Sequence, residues 1–171
     1  NINANTSKIN LNIIDEFADE CFMPITIGGG IKSIKDIREL FGVGADRVSI
    51  NTNAFKNVNF LKEALDSFGK QSIVISIDYK QVNNEPIVFI NSGNINTNKN
   101  LFSYLSDLEK LNPGEVLINS IDHDGLMKGY DSKTMKKIDQ EFDLKIICSG
   151  GLESSNDIIE LYKSTKIKSF S

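Results

Sequence analysis

The 171-residue chain is 40% apolar and 25% charged, enough to bury a core and too apolar for intrinsic disorder. A formal net charge of -4, with lysines scattered among acids, excludes a nucleic-acid footprint, and no apolar run approaches the roughly 18 residues of a membrane span or forms a signal peptide. A cytoplasmic protein with no nucleic-acid or membrane partner is therefore expected.

His123 is the only histidine, which removes Ser-His-Asp, Cys-His and multi-His zinc chemistry, so carboxylates must carry any acid–base work. Cys21 and Cys148 lie inside apolar segments at no metal or redox spacing and read as buried thiols.

Short β-rich runs alternate with segments of helical period. In chain order the pattern predicts a helix over 10–21, a strand over 25–27, a helix over 34–41 capped by Ser33 and a strand over 47–50. A helix over 58–68 and a strand over 73–77 follow, the latter running to Asp78. The stretch 82–93 breaks the rhythm, and Asn83-Asn84 marks it as a small hairpin inserted after that strand. Beyond it come helix 101–111, strand 115–119, helix 132–142 behind Asp131, strand 145–149, helix 155–163 and strand 167–171. This is an α/β chain with a parallel sheet in one domain, 1–171.

An internal repeat sharpens the fold. Gly28-Gly-Gly-Ile-Lys-Ser-Ile-Lys-Asp-Ile-Arg-Glu-Leu40 aligns without gaps on Ser149-Gly-Gly-Leu-Glu-Ser-Ser-Asn-Asp-Ile-Ile-Glu-Leu161 at an offset of 121 residues, with seven of thirteen positions identical. Two halves of that length total about 240 residues, near the roughly 250 of a (β/α)8 TIM barrel. The chain is expected to be an incomplete barrel of the phosphate-binding type, from the end of strand 2 at 1–4 to the start of strand 8 at 167–171. Such a fragment, with open strand edges, is expected to aggregate or be inactive by itself.

Gly28-Gly29-Gly30 follows a strand and precedes a Ser-capped helix, so backbone N–H groups and the positive helix end can converge on a phosphate. A tight turn needing positive φ explains an isolated triplet equally well; the second copy, Gly150-Gly151, favours phosphate. Two such turns half a barrel apart suit a substrate with a phosphate at each end, with Asn51-Thr52 and Asp124-Gly125 placed to complete one site each.

Asp78 closes an apolar strand and is the candidate catalytic residue, its alternative being a cap on the following loop. Asp122-His123-Asp124, adjacent residues in one loop, do not make a metal site, and no metal or cofactor is expected. Arg47 and Glu115 begin their strands; they are either solvated strand starts or members of a charged ring on a barrel axis, which suggests a gate.

Together, Pro24-Ile-Thr-Ile-Gly-Gly-Gly-Ile31, Gly44-Ala-Asp-Arg-Val-Ser-Ile-Asn-Thr52, Ser76-Ile-Asp-Tyr-Lys80, Gly114-Glu-Val-Leu-Ile-Asn-Ser-Ile-Asp-His-Asp-Gly125 and Gly129-Tyr-Asp131 resemble the HisF family, the cyclase subunits of imidazole glycerol phosphate synthase. The resemblance implies a lyase or cyclase of histidine biosynthesis. By the same resemblance it would receive ammonia from a HisH-type glutaminase partner and convert a bis-phosphorylated nucleotide into imidazole glycerol phosphate and AICAR. Of the family's two catalytic aspartates, the one on strand 5 matches Asp78. The other would lie upstream of Asn1. Gly30, Asn51 and Thr52 match one phosphate site; Asp124, Gly125 and Gly151 match the other, and Asn119 and Ser149 match the substrate-site wall. Arg47 and Glu115 match the ammonia gate, and Asp46 the glutaminase-docking face.

Asn119, where the cyclases usually have Thr, and Glu20-Cys-Phe-Met-Pro24 are closer to a HisF paralogue of surface-polysaccharide pathways. That paralogue delivers ammonia, with a HisH-like glutaminase, for acetamidino-sugar synthesis. A non-enzymatic phosphate-binding barrel is the third reading.

Overall fold

The computed structural model describes residues 11–20 and 23–171. The expected tail of strand 2 at 1–4 and Cys21 lie outside them. The chain divides into two compact units, with the boundary in sequence between Ile75 and Ser76.

In the first unit α1 (Leu11–Glu20), β1 (Thr26–Gly28), α2 (Ile34–Gly42), β2 (Arg47–Ile50), α3 (Thr52–Lys56), α4 (Val58–Phe68) and a 3-10 turn (Lys70–Ser72) lead into β3 (Ile73–Val82). β1 and β2 pair in parallel with Gly28 opposite Ser49, and β2 pairs in parallel with the start of β3, Val48 opposite Ile73. Ile37 and Leu40 of α2, Leu61 and Ala64 of α4, and Val48 and Ile50 of β2 are buried, so the apolar stripe of each helix faces the sheet.

The second unit contains the rest of β3, then β4 (Glu85–Ile90), β5 (Ile95–Asn100), α5 (Leu101–Glu109), β6 (Glu115–Ser120), α6 (Ser132–Glu141), β7 (Ile146–Ser149), α7 (Ser155–Ser164) and β8 (Ser169–Phe170). Its strands run in the order β3-β6-β7-β8, with β4 paired to β3 and β5 to β4. β6, β7 and β8 are parallel, whereas β4 and β5 are antiparallel additions. Along β6, Val116, Ile118 and Ser120 are buried while Glu115, Leu117 and Asn119 are half-buried, the two-residue alternation of a sheet with one face under helices. Asn119, one of the expected site residues, lies on the other face.

Strand and helix bounds fall within a few residues of those predicted, with three differences. β3 does not stop beside Asp78 but continues to Val82, because the inserted hairpin supplies a partner: Asp78 lies opposite Phe89 and Val82 opposite Glu85. Asn83 and Asn84, at φ 52 and 64, make the two-residue connection that matches strand twist, as their sequence suggested. β5 was not foreseen, since Ile-Asn-Thr-Asn-Lys-Asn has low strand propensity and forms against the exposed edge of β4. α3 is five residues long, too short to leave a period in the sequence.

Candidate functional site

The second unit holds Asp78, Asn119 and Ser149, three of the expected site residues. Asp78, between buried Ile77 and buried Tyr79 on β3, is itself half-buried. Its Oδ1 accepts a hydrogen bond from the Asn119 side-chain amide at 3.1 Å. Asn119 in turn stands opposite Ser149 in the parallel register of β6 and β7. Three of the expected site residues thus come from three strands at one level. A carboxylate can only accept, so Asn119 must turn Nδ2 toward Asp78, which leaves its Oδ1 buried and without a hydrogen-bond partner among the described residues.

Gly150 follows this layer at φ 93, and a Cβ there would lie 2.6 Å from the Ser120 carbonyl oxygen and 2.8 Å from Asn119 Oδ1. Glycine is required because β7 leaves the sheet directly against β6. A Cβ on Gly151 would meet the Gly129 carbonyl oxygen and the Cβ of His123, and Gly129 N–H donates to the Gly151 carbonyl at 2.8 Å. Asp124 and Gly125 lie exposed in the turn after β6, where Asp124 N–H donates to the Ser120 carbonyl at 2.9 Å. Gly125 has φ 72 and open space around it.

The first unit carries the companion turn. Gly29 and Gly30 have φ 115 and 68, against 93 and 100 at Gly150 and Gly151, so positive φ recurs at the same two places of the repeat. Ser33 caps α2 by accepting from Asp36 N–H at 3.2 Å, and Asp36 accepts in return from the N–H groups of Lys32 and Ser33. At α7, Asp157 accepts from the N–H groups of Glu153 and Ser154 in the same way. Burial alone would raise the Asp36 carboxyl, but the backbone donors of Lys32 and Ser33 outweigh it and hold it below the ordinary carboxylate range. Gly30 is exposed, and a Cβ added there would meet nothing within 4 Å, while Asn51 and Thr52 are half-buried where β2 passes into α3.

Arg47 opens β2 and Glu115 opens β6, each half-buried. Asp46 is exposed, and its carboxylate accepts from Ile25 N–H at 2.8 Å, so it ties the entry of β1 to that of β2. His123 sits in the loop, as expected, and Cys148 is a buried free thiol whose pKa burial pushes up to about 12. Among the described residues, no group of three or more His, Cys, Asp or Glu is placed to hold a metal ion, and none of their helices is long and apolar enough to cross a membrane.

Sequence reasoning missed a second cluster, on the reverse side of β3. Asp131 accepts from Tyr79 Oη at 3.0 Å, Gln81 Nε2 at 3.3 Å, Thr134 Oγ1 at 2.7 Å and Thr134 N–H at 3.1 Å. Burial opposes its ionisation, yet the Thr134 side chain and N–H, then Tyr79 and Gln81, hold the carboxyl below its ordinary range. Burial, and next the Asp131 charge, drive the Tyr79 phenol far above its ordinary value, so it stays protonated and donates. Asp122 accepts from Gln81 N–H at 2.7 Å. Asp131 was legible only as a helix cap, because its other donors lie some 50 residues away in the chain.

Parallel strands alternating with helices, and glycine turns where strands end, define an α/β protein of the incomplete (β/α)8-barrel class. The chain belongs to the histidine biosynthesis protein family, whose model matches residues 2–170. It is similar to imidazole glycerol phosphate synthase subunit HisF of Sulfurisphaera tokodaii, 40% identical over 156 residues, which cover 91% of this chain and 63% of that protein. The HisF subunits of Staphylococcus saprophyticus and Bacillus cereus are 38% and 35% identical, covering 92% and 94% of this chain and 63% and 64% of their own lengths. The chain therefore spans a little under two thirds of these relatives.

Proposed function

We propose that the protein acts as the cyclase subunit of an imidazole glycerol phosphate synthase in the cytoplasm. It uses ammonia from a HisH-type glutaminase to convert a bis-phosphorylated ribulosyl aminoimidazole carboxamide nucleotide into imidazole glycerol phosphate and AICAR. The observation that carries this reading is the Asp78 carboxylate, held by the Asn119 amide at one level with Ser149 and beside the Gly150-Gly151 turn. Asp78 moves the proton; Asn119 and Ser149 wall the substrate site. Gly30, Asn51 and Thr52 take one phosphate and Asp124, Gly125 and Gly151 the other, through N–H groups that favour an anion. Arg47 and Glu115 serve as the ammonia gate, and Asp46 lies on the glutaminase-docking face. No cofactor is needed for proton transfer by a carboxylate.

The test is turnover of the nucleotide by the intact protein with an ammonium salt. Asp78→Asn, which keeps shape and removes the titrating group, is expected to lower kcat about 10²–10⁴-fold while leaving nucleotide affinity nearly unchanged. An active Asp78→Asn protein would remove Asp78 from the chemistry. An intact protein that binds the glutaminase but converts no nucleotide would instead support ammonia delivery for acetamidino-sugar synthesis. Absence of phosphate binding by calorimetry would defeat both.

A further inference from the structure

β6 ends at Ser120, yet its hydrogen-bond ladder with β3 does not end there. Ile121 N–H donates to the Tyr79 carbonyl at 3.0 Å, the first half of a parallel-strand pair. The second half would be Gln81 N–H donating to the carbonyl of Ile121. Instead Gln81 N–H donates to the Asp122 carboxylate at 2.7 Å, so a side chain replaces the main-chain acceptor just as the backbone turns away into the loop of Asp124 and Gly125. Gln81 N–H cannot turn to β4. Asn83-Asn84 closes a two-residue hairpin, so the Val82–Glu85 pair is hydrogen-bonded and Gln81 lies in the next, non-hydrogen-bonded pair, opposite Pro86. The other end of the same loop is fastened to the same strand, since Asp131 accepts from Tyr79 and Gln81 side chains. A Cβ added to Gly93, in the turn after β4, would lie 2.9 Å from the Ile121 side chain, so that turn also runs close to the start of the loop.

We propose that Asp122 is a positioning residue that locks the phosphate-binding loop to the stretch of β3 carrying Asp78, so that capturing a phosphate and setting the carboxylate are one mechanical event. This rests on the cyclase reading for the identity of the substrate. The coupling itself needs only the loop and the strand.

In the intact protein with ammonium salt, Asp122→Ala is expected to lower kcat about tenfold or more with KM within about threefold, because a small displacement of a reacting group is costly. Asp122→Asn, whose amide oxygen still accepts from Gln81, is expected to keep kcat within about threefold of the unsubstituted protein. A merely destabilised loop would raise KM and would not be rescued by Asn. Either that pattern or an unchanged kcat in Asp122→Ala overturns the proposal. Should the unsubstituted protein convert no nucleotide, the cyclase reading fails, and amide exchange at Gln81 decides the coupling. Saturating inorganic phosphate slows that exchange in the unsubstituted protein and leaves it unaffected in Asp122→Ala; no slowing in the unsubstituted protein refutes the lock.

Discussion

Four donors converge on the Asp131 carboxylate, and their sum decides how this protein responds to acid. A carboxyl held below its unfolded value contributes stability that is complete above the unfolded pKa, roughly 4, and is lost as pH falls through the folded pKa. The melting temperature is therefore expected to drop on acidification below about pH 4, and Asp131→Asn to flatten that acid limb while melting lower at pH 7. Equal acid slopes in the two proteins would show that other carboxylates dominate. At this scale Asp78 stood out as a candidate because the run Ile73-Val-Ile-Ser-Ile-Asp leads from apolar residues to an acid, although the strand itself continues to Val82. Its partnership with Asn119 was not legible, because a hydrogen bond spanning 41 residues of sequence leaves no local signal. Asp122 was hidden for a sharper reason: its role exists only where a neighbouring strand stops.

Helix starts were the most legible elements, since a cap needs only residues close in sequence. Ser33 was read directly as the cap of α2, and the structure adds Asp36 there and Asp157 at α7, each carboxylate binding two N–H groups. Asp36→Ala and Asp157→Ala are each expected to cost about 0.5–2 kcal/mol, measured from urea midpoints. Gly150→Ala should cost about 1–3 kcal/mol or more, because φ is positive and the new Cβ would sit 2.6 Å from backbone oxygen. Gly30→Ala meets no such obstacle and suffers only the φ penalty, so the gap between the two variants isolates the packing contribution. The hairpin turn was legible in Asn83-Asn84, but β5 was not, as its Asn-rich sequence takes its conformation from β4.

For the molecule as a whole, the repeat carried most of the information. Both copies place glycines at positive φ before a helix whose first turn is tied by an aspartate, one copy in each compact unit. Two related turns are expected to bind about two equivalents of inorganic phosphate by calorimetry. Gly30→Asp and Gly125→Asp, each adding a negative charge where the structure leaves room, should each abolish one equivalent and spare the other. Loss of both in either variant would mean a single shared site. Along β3, acid and phenol occupy consecutive positions, 78 and 79, and project to opposite sides. Substitution can alter either one independently, but a one-residue insertion or deletion immediately before Asp78 would interchange them, so the spacing of this segment is constrained as strictly as its two side chains.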